Sequence, residues 1–217
     1  LGNFIQRGKS WYGGDDAIGI WPTWPALGID QRNQWDMFRD MPGGLAGLRR
    51  LADQCHAAGV RFFICYNPWD ESTRKEDHLQ GMGELVKSLD ADGVVLDTRG
   101  SSSKELQAAV DQIKPGVIMY SEGMAVPADM ETILAGRVHN ALYYPPILNL
   151  NKLIQPPFGI FRVAEVYKEP IRREIHSALF NGYGIEFNLF HPGNPEGLEN
   201  QYKYVGRCLK VLREHSA

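Results

Sequence analysis

From Met41 to Glu214 the sequence alternates between short apolar runs and stretches whose apolar residues recur at helical spacing. Val60 to Tyr66, Val94-Val95-Leu96, Gly116 to Tyr120, Arg137 to Leu142, Gly159 to Val163 and Gly184 to Phe190 read as strands. With Ala17 to Trp21 upstream the count is seven. Between them, Leu45, Leu48, Leu51, Ala52 and Cys55 fall on one helical face, and Gly59 supplies a C-terminal stop. Further helices are expected over Glu84 to Leu89, Lys104 to Ile113, Pro127 to Gly136, Pro170 to Phe180 and Leu198 to Glu214. Strands separated by helices are brought back parallel to one another, which selects an α/β fold with a parallel sheet.

Within that class, no Gly-rich phosphate loop of the GxGxxG or P-loop kind is present, which argues against a nucleotide-binding doubly wound sheet. The long alternating series fits a (β/α)8 TIM-type barrel instead, lacking its first strand-helix unit. The expected organisation is a single barrel domain over residues 1–217, as a fragment of a longer protein, because the chain opens at Leu1 with neither Met nor a signal peptide. A degenerate seven-stranded barrel, or a first strand hidden in Leu1 to Trp11, is the alternative.

Composition narrows the function classes. Hydrophobic residues make up 43% of the 217 and charged residues 23%, enough for a large core. The formal net charge is −3 with no long basic run, so nucleic-acid binding has no electrostatic support. No apolar run approaches the roughly 20 residues of a membrane helix. Cys55, Cys65 and Cys208 are scattered, two on helices and one in a strand. They read as buried free thiols, which favours a reducing compartment without excluding secretion. No motif calls for a cofactor.

Two of the strands end in acids. Asp97 follows Val94-Val95-Leu96, and after one helix Glu122 follows the strand that closes at Tyr120. In parallel α/β folds functional sites collect at the carboxyl ends of the strands. A carboxylate pair there is what glycoside hydrolysis requires, one as nucleophile and one as proton donor and later base. Arg99 beside Asp97 would hold it ionised. Tyr120 and Met124 give Glu122 a less polar setting, suited to acid/base duty. Capping of a following helix is the structural alternative for either acid.

All five tryptophans, Trp11, Trp21, Trp24, Trp35 and Trp69, lie in the first third of the chain. Trp21, Trp24 and Trp69 are candidate sugar platforms, since indole faces suit the apolar faces of sugar rings. Core packing is the expectation for Trp11 and Trp35. Asn67, Arg99, Arg162 and His191, near strand ends, are candidates for orienting a carbohydrate substrate, and Glu165 rivals Glu122 as proton donor. His56, His176 and His215 fall on helices and read as peripheral. A metal-dependent hydrolase built on Asp97, Glu122, His139 and His191 is a second reading, without HxH, HExxH or CxxC spacing to support it. A glycan-binding barrel without catalysis is a third.

The order "apolar strand, Asp; helix; strand, Glu" resembles the retaining α-glycosidase barrels of the α-amylase superfamily and relatives such as the endo-α-N-acetylgalactosaminidases. Met41-Pro42-Gly43-Gly44-Leu45 followed by Cys55-His56-Ala57-Ala58-Gly59-Val60 is similar to the Gly-Gly, helix, His-x-x-Gly, strand passage of related barrels. The resemblance implies Asp97 as nucleophile at the end of strand four and Glu122 as acid/base at the end of strand five. The sequence departs from α-amylases at Val95, where they carry Arg. The Lys-x-Asp of α-galactosidase-type barrels is missing at the same position. His191, followed by Pro192, stands where a His-Asp pair is the rule.

Overall fold

The computed structural model describes residues 1–21, 32–68, 70, 77–97, 104–122, 130–138, 154–165, 171–188 and 198–215. Helix α1 (Gly2–Tyr12) leads into β1 (Ala17–Ile20), followed by α2 (Gln34–Asp40), α3 (Gly44–Ala57) and β2 (Arg61–Tyr66). Next come α4 (His78–Leu89), β3 (Gly93–Leu96), α5 (Lys104–Asp111), β4 (Ile118–Ser121) and β5 (Ala135–Val138). The chain continues through β6 (Gly159–Glu165), α6 (Ile171–Asn181), β7 (Gly184–Asn188) and α7 (Glu199–His215). All seven strands lie in one sheet in sequence order, each parallel to the next.

Helix ends carry recognisable stops and starts. Asn33 accepts a hydrogen bond from the Asp36 amide at 2.9 Å to open α2, and Asp77 does the same for Gln80 at α4. The predicted stop at Gly59 is a left-handed residue, φ 76°, just past the end of α3. Gly136, expected to end a helix, is paired with Ser121 and Ile160 inside β5. The alternative of a strand hidden in Leu1 to Trp11 is not realised, because that stretch is α1.

Strand alternation sends successive side chains to opposite faces. The outward set includes Ile18, Ile20, Phe62, Ile64, Tyr66, Val94, Leu96, Val117 and Met119, which pack under α3, α4 and α5. The inward set includes Phe63, Cys65, Val95, Ala135 and Phe161. Two glycines make room for inward rings: a Cβ on Gly93 would stand 2.5 Å from the Phe63 ring, and one on Gly184 would stand 2.8 Å from that of Phe161.

The sheet is strongly curled. Four strand spacings in a flat sheet would separate β1 from β5 by about 19 Å. Yet Arg137 of β5 lies 5.1 Å from the ring of Trp21, just beyond β1. Around the outside, α7 packs against both α6 and α1. Ile5 of α1 joins the core under α3, so α1 stands between the last helix and α3. Tyr12 meets Tyr202 and Phe187 at ring distances of 5.7 and 5.5 Å, joining first helix, last helix and last strand. Among the described residues β7 and β1 are the two edges of the sheet.

At the amino-terminal end of the sheet Asp92 accepts hydrogen bonds from Lys114 (2.7 Å) and the Phe62 amide (2.9 Å), with His56 Nε2 at 2.7 Å. Lys114 also reaches Asp90 at 2.8 Å. His56 is thus peripheral to the carboxyl end, as expected. The three cysteines are free and buried.

Candidate active site at the carboxyl end of the strands

Register and parity bring the acids together. Leu96 is paired with Ser121, and the amides of the next residues, Asp97 and Glu122, donate to Tyr66 and Leu96 carbonyls at 3.0 and 3.1 Å. The two carboxylates therefore leave neighbouring strands at the same level. Ser121 is paired with Gly136, which puts Arg137 beside Glu122. Glu186 is two residues beyond Gly184, the partner of Phe161, on the same inward parity.

Arg137 is the hub. Its side chain is 1% exposed, with one terminal nitrogen 3.5 Å from Glu122 and the other bonded to Glu186 at 2.5 Å. Its guanidinium also lies over the Trp21 indole. The Trp21 Nε1–H donates in turn to Asp97 Oδ2 at 3.2 Å. Asp97 is fully buried. Three carboxylates, one guanidinium and one indole thus form a connected group drawn from β1, β3, β4, β5 and β7. Beneath them, burial pushes the Cys65 thiol well above its usual range. The negative charges of Glu186 and Asp97 add to that shift and Arg137 opposes it. So buried a thiol is protonated and inert as a nucleophile.

Several expectations change here. Glu122 was expected in an apolar setting, but its observed neighbour is a cation. The expected contact of Asp97 with Arg99 lies outside the described residues; among the described ones, Trp21 donates to it. Arg162 was expected to orient substrate. It shares the outward parity of Ile160 and makes a buried ion pair with Glu174 of α6, behind the sheet. Arg162 is therefore a structural residue. Arg137 is the residue whose part in the group the sequence did not disclose. Glu186 was legible as an acid lining the last expected strand, costly inside a barrel unless paired, and the register shows that it faces inward.

Asn67 is buried at the end of β2, with its main chain held by the Gln34 amide. Its carbonyl accepts at 2.6 Å and its N–H donates at 2.8 Å. Glu165 closes β6 in register with Asn188. Trp24, Trp69, His139 and His191 lie outside the described residues. Trp35 is buried against Tyr66 and His78, a core residue as expected. Among the described residues no cluster of three or more His, Cys, Asp or Glu side chains suits a metal ion.

No family model and no curated protein sequence matches this chain. Its fold is similar to that of solved structures. A noncanonic maltogenic α-amylase from Thermotoga neapolitana aligns with TM-score 0.63 at 11% identity, over 94% of this chain and 70% of that one. AmyP in complex with maltose aligns with TM-score 0.60 at 12% identity, over 99% and 71%. A thiamine phosphate pyrophosphorylase from Pyrococcus furiosus aligns with TM-score 0.52 at 13% identity, over 95% and 88%. At such identities the likeness is one of fold, a TIM-barrel-type arrangement of parallel strands and helices.

Proposed function

We propose that this chain is a glycoside hydrolase acting on an α-linked sugar, with Asp97 as nucleophile and Glu122 as acid/base. The observation that carries the reading is the meeting of Asp97, Glu122, Glu186, Arg137 and Trp21 at the carboxyl end of the parallel strands. Asp97 accepts the indole N–H on one oxygen, and in this reading it attacks the anomeric carbon. Glu122, partly exposed and beside Arg137, would protonate the leaving oxygen and then activate water. Arg137 would hold Glu122 and Glu186 at fixed positions while the proton moves. A retaining course needs the two carboxyl groups about 5–5.5 Å apart at the moment of reaction, an inverting one about 6.5–9.5 Å. The same proposal takes the ring as a barrel with a further strand between β7 and β1. The expected first unit is then reduced to its strand, since α1 already stands beside α7.

The test is hydrolysis of a panel of aryl α-glycosides by the full chain and its Asp97→Asn, Glu122→Gln and Glu186→Gln variants. The expected loss in kcat/KM is about 10²–10⁴ for the first two. Azide should restore turnover to Asp97→Ala. Full activity in Asp97→Asn or Glu122→Gln removes that residue from the mechanism, and a folded chain inert on every glycoside removes the reading.

A further inference from the structure

Charge is unevenly spread around the outer ring. Helices α1, α6 and α7 carry eight Lys or Arg against three Glu, in a chain whose formal net charge is −3. One of those glutamates, Glu174, is buried with Arg162 and does not face solvent. Helices α3, α4 and α5 on the other arc carry four of each sign. The three basic helices are neighbours, with α7 packed between α6 and α1. The result is a face that stays net positive after the ion pairs of Glu199, Glu214 and Asp16 are counted.

That face has built features. Along α7, Lys203, Arg207, Lys210 and Arg213 are all exposed, with Lys203 and Lys210 beside Glu199 and Glu214 one turn away and Arg213 bonded to Asp16 at 2.9 Å. The four basic residues lie ten steps apart from first to last, or about 15 Å of helix axis at 1.5 Å per residue. Together with Trp11 and Tyr12 they line a cleft of about 500 Å³ between α7 and the end of α1. Beside it the guanidinium groups of Arg172 and Arg207 lie 5.1 and 5.3 Å from the Tyr204 ring, and His176 hydrogen-bonds the Tyr204 hydroxyl. Arg7 lies over Trp11 at 5.4 Å. Ring contact pre-orders these guanidinium groups and leaves their N–H edges for oxyanions, the geometry suited to sulfate and carboxylate groups.

We propose that the α6–α7–α1 face is a docking surface for an anionic polysaccharide, one bearing sulfate or carboxylate groups, separate from the strand-end site. The choice of a sugar chain as the polyanion rests on the hydrolase reading and on the rings themselves. A single-stranded nucleic acid uses bare aromatic faces for its bases. Here the Tyr204 and Trp11 rings already carry guanidinium groups, and Trp11 also meets Tyr202 at 5.4 Å. The face therefore offers charge at regular spacing rather than stacking platforms.

The test uses the full chain carrying Asp97→Asn, so that no cleavage interferes, titrated with size-defined heparin as the probe and followed by tryptophan emission. Binding should weaken steeply with salt. The triple variant Arg172→Gln, Arg207→Gln, Lys210→Gln should lose about tenfold or more in affinity with an unchanged melting temperature, each exposed contact contributing a modest share. The double variant Lys87→Gln, Lys104→Gln, on the other arc, should bind like the parent. Absence of heparin binding at low salt, or a triple variant that binds like the parent, overturns the proposal. So does a single-stranded DNA oligomer bound as tightly as heparin and lost in the same variant. A chain that cleaves glycosides but ignores heparin refutes the docking surface alone. One that binds heparin but cleaves no glycoside refutes the hydrolase reading alone.

Discussion

Arg137 sets the electrostatics of the strand-end group, because one buried guanidinium serves two carboxylates from different strands. Arg137→Met should therefore cost roughly 3–5 kcal/mol in urea denaturation, most of it the penalty of carboxylates left inside without their cation. Asp97 and Glu122 were readable because an acid directly after an apolar strand is a local pattern. Arg137 was not, because the strand was expected to begin there, whereas it begins at Ala135. Inward or outward is a matter of parity, and neither Arg137 nor Arg162 reveals its parity without the strand register. Asp92 lends itself to a pH test. Burial alone would raise its pKa, but the hydrogen bonds from Lys114, the Phe62 amide and His56 together pull it below the usual value. A carboxyl depressed in the folded state stabilises fully above its unfolded pKa, about 3.9, and loses that contribution as pH falls through the folded value. Asp92→Asn should thus destabilise by about 1–3 kcal/mol at pH 7, and the gap from the parent should narrow in urea titrations below pH 4.

Among the elements, α1 and α7 show a tertiary contact overruling local propensity. Replacing Gly by Ala within a helix ordinarily adds about 1 kcal/mol of stability. At Gly206 an added Cβ would stand 2.7 Å from the Tyr12 Cα and 3.0 Å from the Trp11 carbonyl oxygen, both backbone atoms that cannot swing aside. Overpacking of that kind costs about 1–3 kcal/mol, so the clash wins and Gly206→Ala should melt at a lower temperature than the parent. Helix α1 itself was hard to recognise for a local reason. Its Gly8 is a poor helix former, but a Cβ there would lie 2.7 Å from the Tyr12 hydroxyl. Elements with strong patterns, such as α3, β2 and α7, fell close to their expected positions because periodicity is carried by their own residues.

For the whole molecule, the alternation of strand and helix made the parallel α/β class legible, since it follows from chain order alone. Which residues meet across the interior was not legible, because that depends on how far the sheet curls. The curl also ties the two ends of the chain together. Tyr12 packs on Tyr202 and Phe187 and bonds Asp15 at 2.7 Å, while Arg213 reaches Asp16 at 2.9 Å. Contacts of such sequence separation form late in folding, since the loop they close is nearly the whole chain. Tyr12→Ala should cost about 3–5 kcal/mol. In stopped-flow measurements that cost should appear mainly as faster unfolding, with the refolding rate little changed.

The side-by-side packing of α1 and α7 has a consequence for chain connectivity. Both helices run from the carboxyl toward the amino ends of the strands, so in the barrel proposed above the order of elements has no privileged origin. A linker of strand length from His215 back to Leu1 would travel in the direction of the sheet and could enter between β7 and β1. The polypeptide joined in this way would be a circle, and a circular permutant opened at the exposed Pro115-Gly116 turn should keep the arrangement of Asp97, Glu122 and Arg137.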